Sequence, residues 1–192
     1  MRTYGVRDWV TLVWNTHIYR EHYYELSTHK PLVIDAGANV GSFTIEIKRA
    51  FPEARVIAFE PNPETYQKLK ENTKRLHRVR LFQKALSDKN GTTTFFKWRS
   101  GTGIFLDGSL RDTTAPSYWH TNKKTNAISV PTVRLSRFVN RPVDLLKLDI
   151  EGDEGNVLKE LGRKLTLVNQ ISLEYHGNSA DPITQYKILS IS

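Results

Sequence analysis

The 192 residues include no cysteine and one methionine. The missing cysteine excludes disulfides and thiolate-ligated metal, and the six histidines lack the spacing and neighbours of a zinc site. No apolar run approaches the length of a membrane span, and no apolar signal-peptide core follows Met1, so a soluble, cytoplasmic protein is expected. Acidic residues are in the minority, 20 against 28 lysines and arginines, and the formal charge of +8 will attract anions without specifying which. Much of that surplus lies in "QKLKENTKRLHRVR", residues 67–80. This stretch reads as a solvated helix face whose late cations oppose the helix dipole, or as a nucleic-acid patch. The length suits one domain with a substantial core, and no internal repeat is found.

Strand-like and helix-like stretches alternate along the chain. "PLVID" and "ARVIAFE" are short β-branched runs without amphipathic alternation, as expected of strands covered on both faces. Between them Phe43, Ile47 and Phe51 fall at helical spacing, with Pro52 marking the end. In "NPETYQKLKENTKRL", Asn62 is a good cap, followed by Pro63 where a missing N–H costs little. "VRLFQKAL" reads as a third strand, "VDLLKLDI" as a fourth, "EGNVLKELG" as a helix and "LVNQISLEY" as a fifth strand. This is the order of a mostly parallel sheet with right-handed crossovers and helices on both faces. Residues 91–133 break the rhythm and are expected to form a β-rich insertion carrying a long loop. Residues 1–30 are expected to form one or two helices packed on the domain spanning 31–192.

In such a sheet, ligands bind beyond the carboxyl ends of the strands, at the first strand-to-helix turn. Here that turn is "DAGANVG", with Asp35, Gly37 and Gly41. A dinucleotide fingerprint requires G-x-G-x-x-G, whereas Ala38 stands where the second glycine of a pyrophosphate turn belongs. Glu60 then ends the second strand, a position from which an acid can take both ribose hydroxyls. A nucleoside without a diphosphate points to S-adenosylmethionine, and a merely structural turn is the plain alternative.

"VIDAGANVGSFT", "AFEPNPETYQKLKEN", "KALSDKNGTTTF", "VPTVRLSRF", "DLLKLDIEGDEGNVLKEL" and "ISLEYHG" occur in the order and spacing of the FkbM-like methyltransferases, which the chain resembles over residues 31–177. That resemblance implies a Rossmann-like class I fold and S-adenosylmethionine-dependent methylation, mostly of hydroxyl oxygens. It implies a donor site of Asp35, Gly37, Asn39 and Gly41, with Glu60 on the ribose and Pro61, Asn62 and Pro63 closing that side. Leu86, Ser87 and Asp88 would flank the adenine, Asp88 accepting from its exocyclic amine.

At the end of the fourth strand, period two sends Lys147, Asp149 and Glu151 to one face, so these candidate catalytic charges are expected to converge. Burying them unpartnered would be costly, so they pair with each other or contact ligand. Alternatively Glu151 and Asp153 favour the start of the next helix while Lys147 neutralises Asp149. Glu174 and His176 end the fifth strand beside them, and His176 is a candidate base for an acceptor hydroxyl. This oxygen-rich edge leaves room for magnesium or manganese, although nothing in the spacing demands a metal. Substrate contacts are expected between Trp98 and Asn126, where Tyr118, Trp119 and His120 also lie.

Methyltransferase sheets commonly finish with an antiparallel pair, yet only "NSADPITQYKILSIS" remains here, enough for one helix or a short strand. An open edge favours pairing, a homodimer being one solution. The leading function is therefore O-methylation of a small molecule or glycan. An RNA methyltransferase using the basic surface and a non-catalytic S-adenosylmethionine-binding module stand as alternatives, and a dehydrogenase is disfavoured by the absent glycine.

Overall fold

The computed structural model describes residues 26–99, 106–109, 125–175 and 185–190. Residues 1–25, most of the 98–126 excursion with Tyr118, Trp119 and His120, and His176 lie outside the described residues, as does the Trp98 side chain.

Five parallel strands form the centre: β1 (Leu32–Ala36), β2 (Arg55–Phe59), β3 (Val79–Phe82), β8 (Leu145–Leu148) and β9 (Gln170–Tyr175). With β10 (Gln185–Ser190) antiparallel to β9, the sheet order is β10-β9-β8-β1-β2-β3. Every residue of β1 is buried, which is why its run lacks polar alternation.

Successive side chains on these strands enter two different cores. On one face, Val33, Val56, Ala58 and Leu145 pack with Phe43 and Ile47 of α1 (Ser42–Ala50) and Leu69 of α2 (Pro63–Thr73). On the other, Ile34, Ile57, Phe59, Leu146 and Leu148 pack with Leu135 and Val139 and with Val157 and Leu161 of α3 (Glu154–Leu161). Each such side chain contributes roughly 1.5–3 kcal/mol on burial. Phe82 and Phe138 extend the second core, with ring centroids 5.2 and 4.8 Å from that of Phe59.

Local chemistry sets the helix ends. The Asn62 side chain accepts the Glu64 N–H at 3.1 Å with Pro63 in the first turn, as the sequence indicates. α1 stops at Ala50, and the buried Lys48 ammonium donates to the carbonyls of Pro52 and Ala54 beyond it.

Two expectations need correction. "VRLFQKAL" is not one strand: β3 ends at Phe82, exposed Gln83 and its neighbour Lys84 interrupt it, and buried Ala85–Leu86 form β4 in another sheet. That sheet, β4-β7-β5-β6, also holds β5 (Gly91–Arg99), β6 (Leu106–Ser109) and β7 (Thr125–Val133), whose residues fall within 91–133. The other concerns β8, which ends at Leu148, so strand alternation does not carry to Glu151.

Candidate active site

β1 carries Asp35 to the carboxyl edge of the sheet, opposite Ala58 of β2 and Lys147 of β8. Period two places Asp35 on the α1 face, where it is fully buried and accepts the Thr44 hydroxyl at 2.6 Å. Its Oδ1 lies 3.9 Å from the Lys147 ammonium. Burial pushes the Asp35 carboxyl above its ordinary value, while Lys147 and then the Thr44 hydroxyl pull it back. Asp35 therefore supports the turn from beneath and presents no surface to the cleft.

Above it, the N–H groups of Gly37 and Ala38 both donate to the Phe59 carbonyl, at 3.1 and 2.8 Å. Gly37 has φ 81°, and an added Cβ would sit 1.7 Å from the Asp149 carbonyl oxygen. Gly41 has φ 94°, and its Cβ would meet Leu69 at 2.8 Å. Both glycines are thus required by the protein's own packing, of β1 against β8 and of α1 against α2, before any ligand is considered. Asn39 takes the left-handed conformation at φ 49°, which asparagine tolerates better than most residues.

That turn presents the Asn39 N–H to Glu60 Oε2 at 3.0 Å, while the Asn62 N–H donates to Oε1 at 2.9 Å. The buried carboxylate is thereby held between two backbone donors, and Pro61 links it to the cap of α2. The Asn62 side chain is 1% exposed, and its Nδ2, with Oδ1 already engaged at the cap, is a buried donor with no protein acceptor. An oriented carboxylate beside an unsatisfied amide donor suits a ligand with hydroxyls and polar ring atoms.

On β8, the Lys147 ammonium donates to Asp149 Oδ2 at 2.9 Å and to the Gly37 carbonyl at 3.0 Å. It is 4% exposed, so its charge is spent on the two aspartates and the turn. Asp149 keeps 18% of its side chain accessible, against 4% for Lys147 and none for Asp35. Glu151 does not share its face by strand alternation; it sits at φ 59° in a turn with Gly152 at φ 114°. Glu174 lies one step past the Leu148–Leu173 pair, on the face of Ser172 and Lys147.

Glu154, which the motif reading passed over, holds this turn. Fully buried at the start of α3, its Oε1 accepts the N–H of Gly152 at 2.9 Å and of Ile150 at 3.3 Å. Thr44 was likewise missed. The available signal was a threonine nine residues after Asp35, third in its helix, and a carboxylate directly after "EGD", first in its helix.

At the end of β4, the Leu86 side chain belongs to the core, Ser87 N–H donates to the Val133 carbonyl at 3.2 Å, and Ser87 Oγ donates to exposed Asp88 at 3.2 Å. Among the described residues, no three histidine, cysteine or carboxylate side chains gather as a metal site requires.

The methyltransferase FkbM domain matches residues 35–186, which contain every feature of this edge from Asp35 to Glu174. The chain belongs to the FkbM methyltransferase family. Among curated relatives, the 2-O-methyltransferase NoeI of Sinorhizobium fredii is 32% identical over 76% of this chain and 63% of its own length. Methyltransferase sdnD of Sordaria araneosa is 30% identical over 74% and 65%, and the hexuronic acid methyltransferase AglP of Haloferax volcanii 31% identical over 81% and 60%. The chain thus spans under two thirds of these FkbM relatives. Among the described residues, no helix is long and apolar enough to cross a membrane.

Proposed function

We propose that this FkbM domain binds S-adenosylmethionine at the carboxyl ends of β1, β2 and β8 and methylates a hydroxyl oxygen of a small molecule or glycan. The observation that carries the reading is the Glu60 carboxylate, fixed by the N–H groups of Asn39 and Asn62 beside the buried Asn62 amide donor. The acceptor class is supported by the relatives' names, a 2-O-methyltransferase and a hexuronic acid methyltransferase.

When bound there, the donor would supply a sulfonium-activated methyl group, which passes to the acceptor oxygen by in-line attack on its carbon: the O–C bond forms as C–S breaks, S-adenosylhomocysteine leaves, and the hydroxyl proton passes to a base at this edge. The protein contributes alignment and water exclusion, an effect that can supply about 7–11 kcal/mol. Glu60 accepts the ribose hydroxyls, Asn62 donates to the nucleoside, and Ser87 and Asp88 border the adenine. Asp149 orients the acceptor hydroxyl or takes its proton, with Glu151, Glu174 and His176 as further candidates at that edge. Lys147, Asp35 and Thr44 hold the turn and the Asp149 carboxylate in place. Nothing in the residue spacing at this edge demands a divalent metal.

Calorimetry with S-adenosylmethionine, S-adenosylhomocysteine and NAD tests the reading. Both adenosyl compounds should bind and NAD should not. Glu60→Ala should weaken them at least about a hundredfold, since charge-assisted hydrogen bonds to two hydroxyls are lost. Unchanged affinity in that variant would remove Glu60 from the site.

A further inference from the structure

The opposite end of the sheet carries a feature that methyl transfer does not use. Two adjoining pockets of about 310 Å³ each open at the amino ends of β1, β2 and β3 and share Ile57, Arg80 and Arg141. With Arg55 and Arg78 in one pocket and Arg137 in the other, five exposed arginines line the pair, their apolar stems forming much of the walls of the first. The floor is apolar, made by Leu32, Val56 and Ile57 in one pocket and Ile57 and Phe138 in the other. Among the described residues, no acid lines either pocket, and Glu53, 3.2 Å from Arg78, is the carboxylate that meets these arginines. β2 runs from Arg55 to Phe59, beside Glu60, so this groove lies about 16 Å from the donor edge at the usual strand rise.

We infer that this groove is a second binding site, for a small amphipathic anion bearing phosphate or carboxylate groups on an apolar body. Five like charges along two adjoining pockets, with Arg80 and Arg141 common to both, repel each other, and a bound anion relieves that repulsion. All five are arginines, whose planar fork pairs bidentately with phosphate or carboxylate. The recess is the size of a small-molecule site, and its floor is buried below the charges rather than projecting past them as a bilayer anchor would. A polynucleotide would want several exposed aromatic platforms, but Phe82 and Phe138 pack edge-to-face at 5.0 Å against the core, Arg80 already covers Phe82 at 5.4 Å, and among the described residues Phe138 is the one aromatic side chain lining either pocket.

Titration with 1-naphthyl phosphate, followed by amide shifts at Leu32 and Ile57, tests the site. Its Kd should lie at least about tenfold below those of inorganic phosphate and 1-naphthol, because only the combined ligand meets both charges and floor. R80S/R141S should raise that Kd at least about tenfold and leave S-adenosylhomocysteine affinity unchanged, which separates this site from the donor site. Equal affinity in the variant, or a parallel loss of S-adenosylhomocysteine binding, would overturn the assignment. So would stronger competition by an oligouridylate decamer or by phosphatidylglycerol vesicles. If the serine pair unfolds, R80K/R141K decides: at least about threefold weaker binding supports the bidentate site, and unchanged binding refutes it.

Discussion

Gly37 shows how one residue can answer to the fold and the site at once. From the sequence it looks like a concession to a ligand; in the structure its missing Cβ is where the Asp149 carbonyl oxygen lies, 1.7 Å from the position a Cβ would take. Gly37→Ala adds a left-handed backbone penalty to that overlap and should lower stability by roughly 3 kcal/mol or more, measured by chemical denaturation. A variant at this position therefore reports on folding before it reports on donor affinity, and Glu60→Ala is the cleaner probe of the nucleoside site. Asp35 teaches the same lesson in reverse. Its place in the motif is legible, but its partners Thr44 and Lys147 come from α1 and β8, and they make it an internal support.

The elements bring in carboxylates as loop holders. Glu60 joins the turn after β1 to the cap of α2, and Glu154 draws the N–H groups of Ile150 and Gly152 toward the start of α3. Because both of those donors meet Oε1, the amide oxygen of glutamine can replace it. Glu154→Ala should cost about 2–4 kcal/mol and speed hydrogen exchange at Ile150 and Gly152, whereas Glu154→Gln should recover most of both. Equal exchange rates in wild type and the alanine variant would deny Glu154 this role. The caps and helices were readable because they depend on neighbours in sequence: Asn62 with Glu64, Phe43 with Ile47. The break between β3 and β4 was not, since two polar residues, Gln83 and Lys84, do not by themselves end a strand, and only pairing with Thr132 and Val133 puts Ala85 and Leu86 in the second sheet.

At the scale of the molecule, the sheet separates two ends of unlike chemistry, oriented carboxylates at one and arginines at the other. Its β9 edge is also covered: β10 pairs with it from Gln170–Ser190 to Tyr175–Gln185 and becomes the terminal strand, so the stretch after the fifth strand supplies an antiparallel partner. Deleting residues 185–192 should uncover a row of unpaired backbone groups and cause self-association, visible by sedimentation velocity. A truncated chain that stayed monomeric would show that β10 is not what protects this edge.

The alternation of strands and helices, the glycine turn, the Asn62 cap and the acid just past the end of β2 followed from the sequence alone, because each rests on residues close together in the chain. Tertiary structure decided what those residues do. Lys147 reaches the Gly37 carbonyl across 110 positions only through the β1–β8 register, and the arginines of the groove come from β2, β3 and the Arg137–Arg141 loop. Periodicity specifies which face a side chain takes; which distant side chain meets it there depends on strand order and register, which local spacing does not encode.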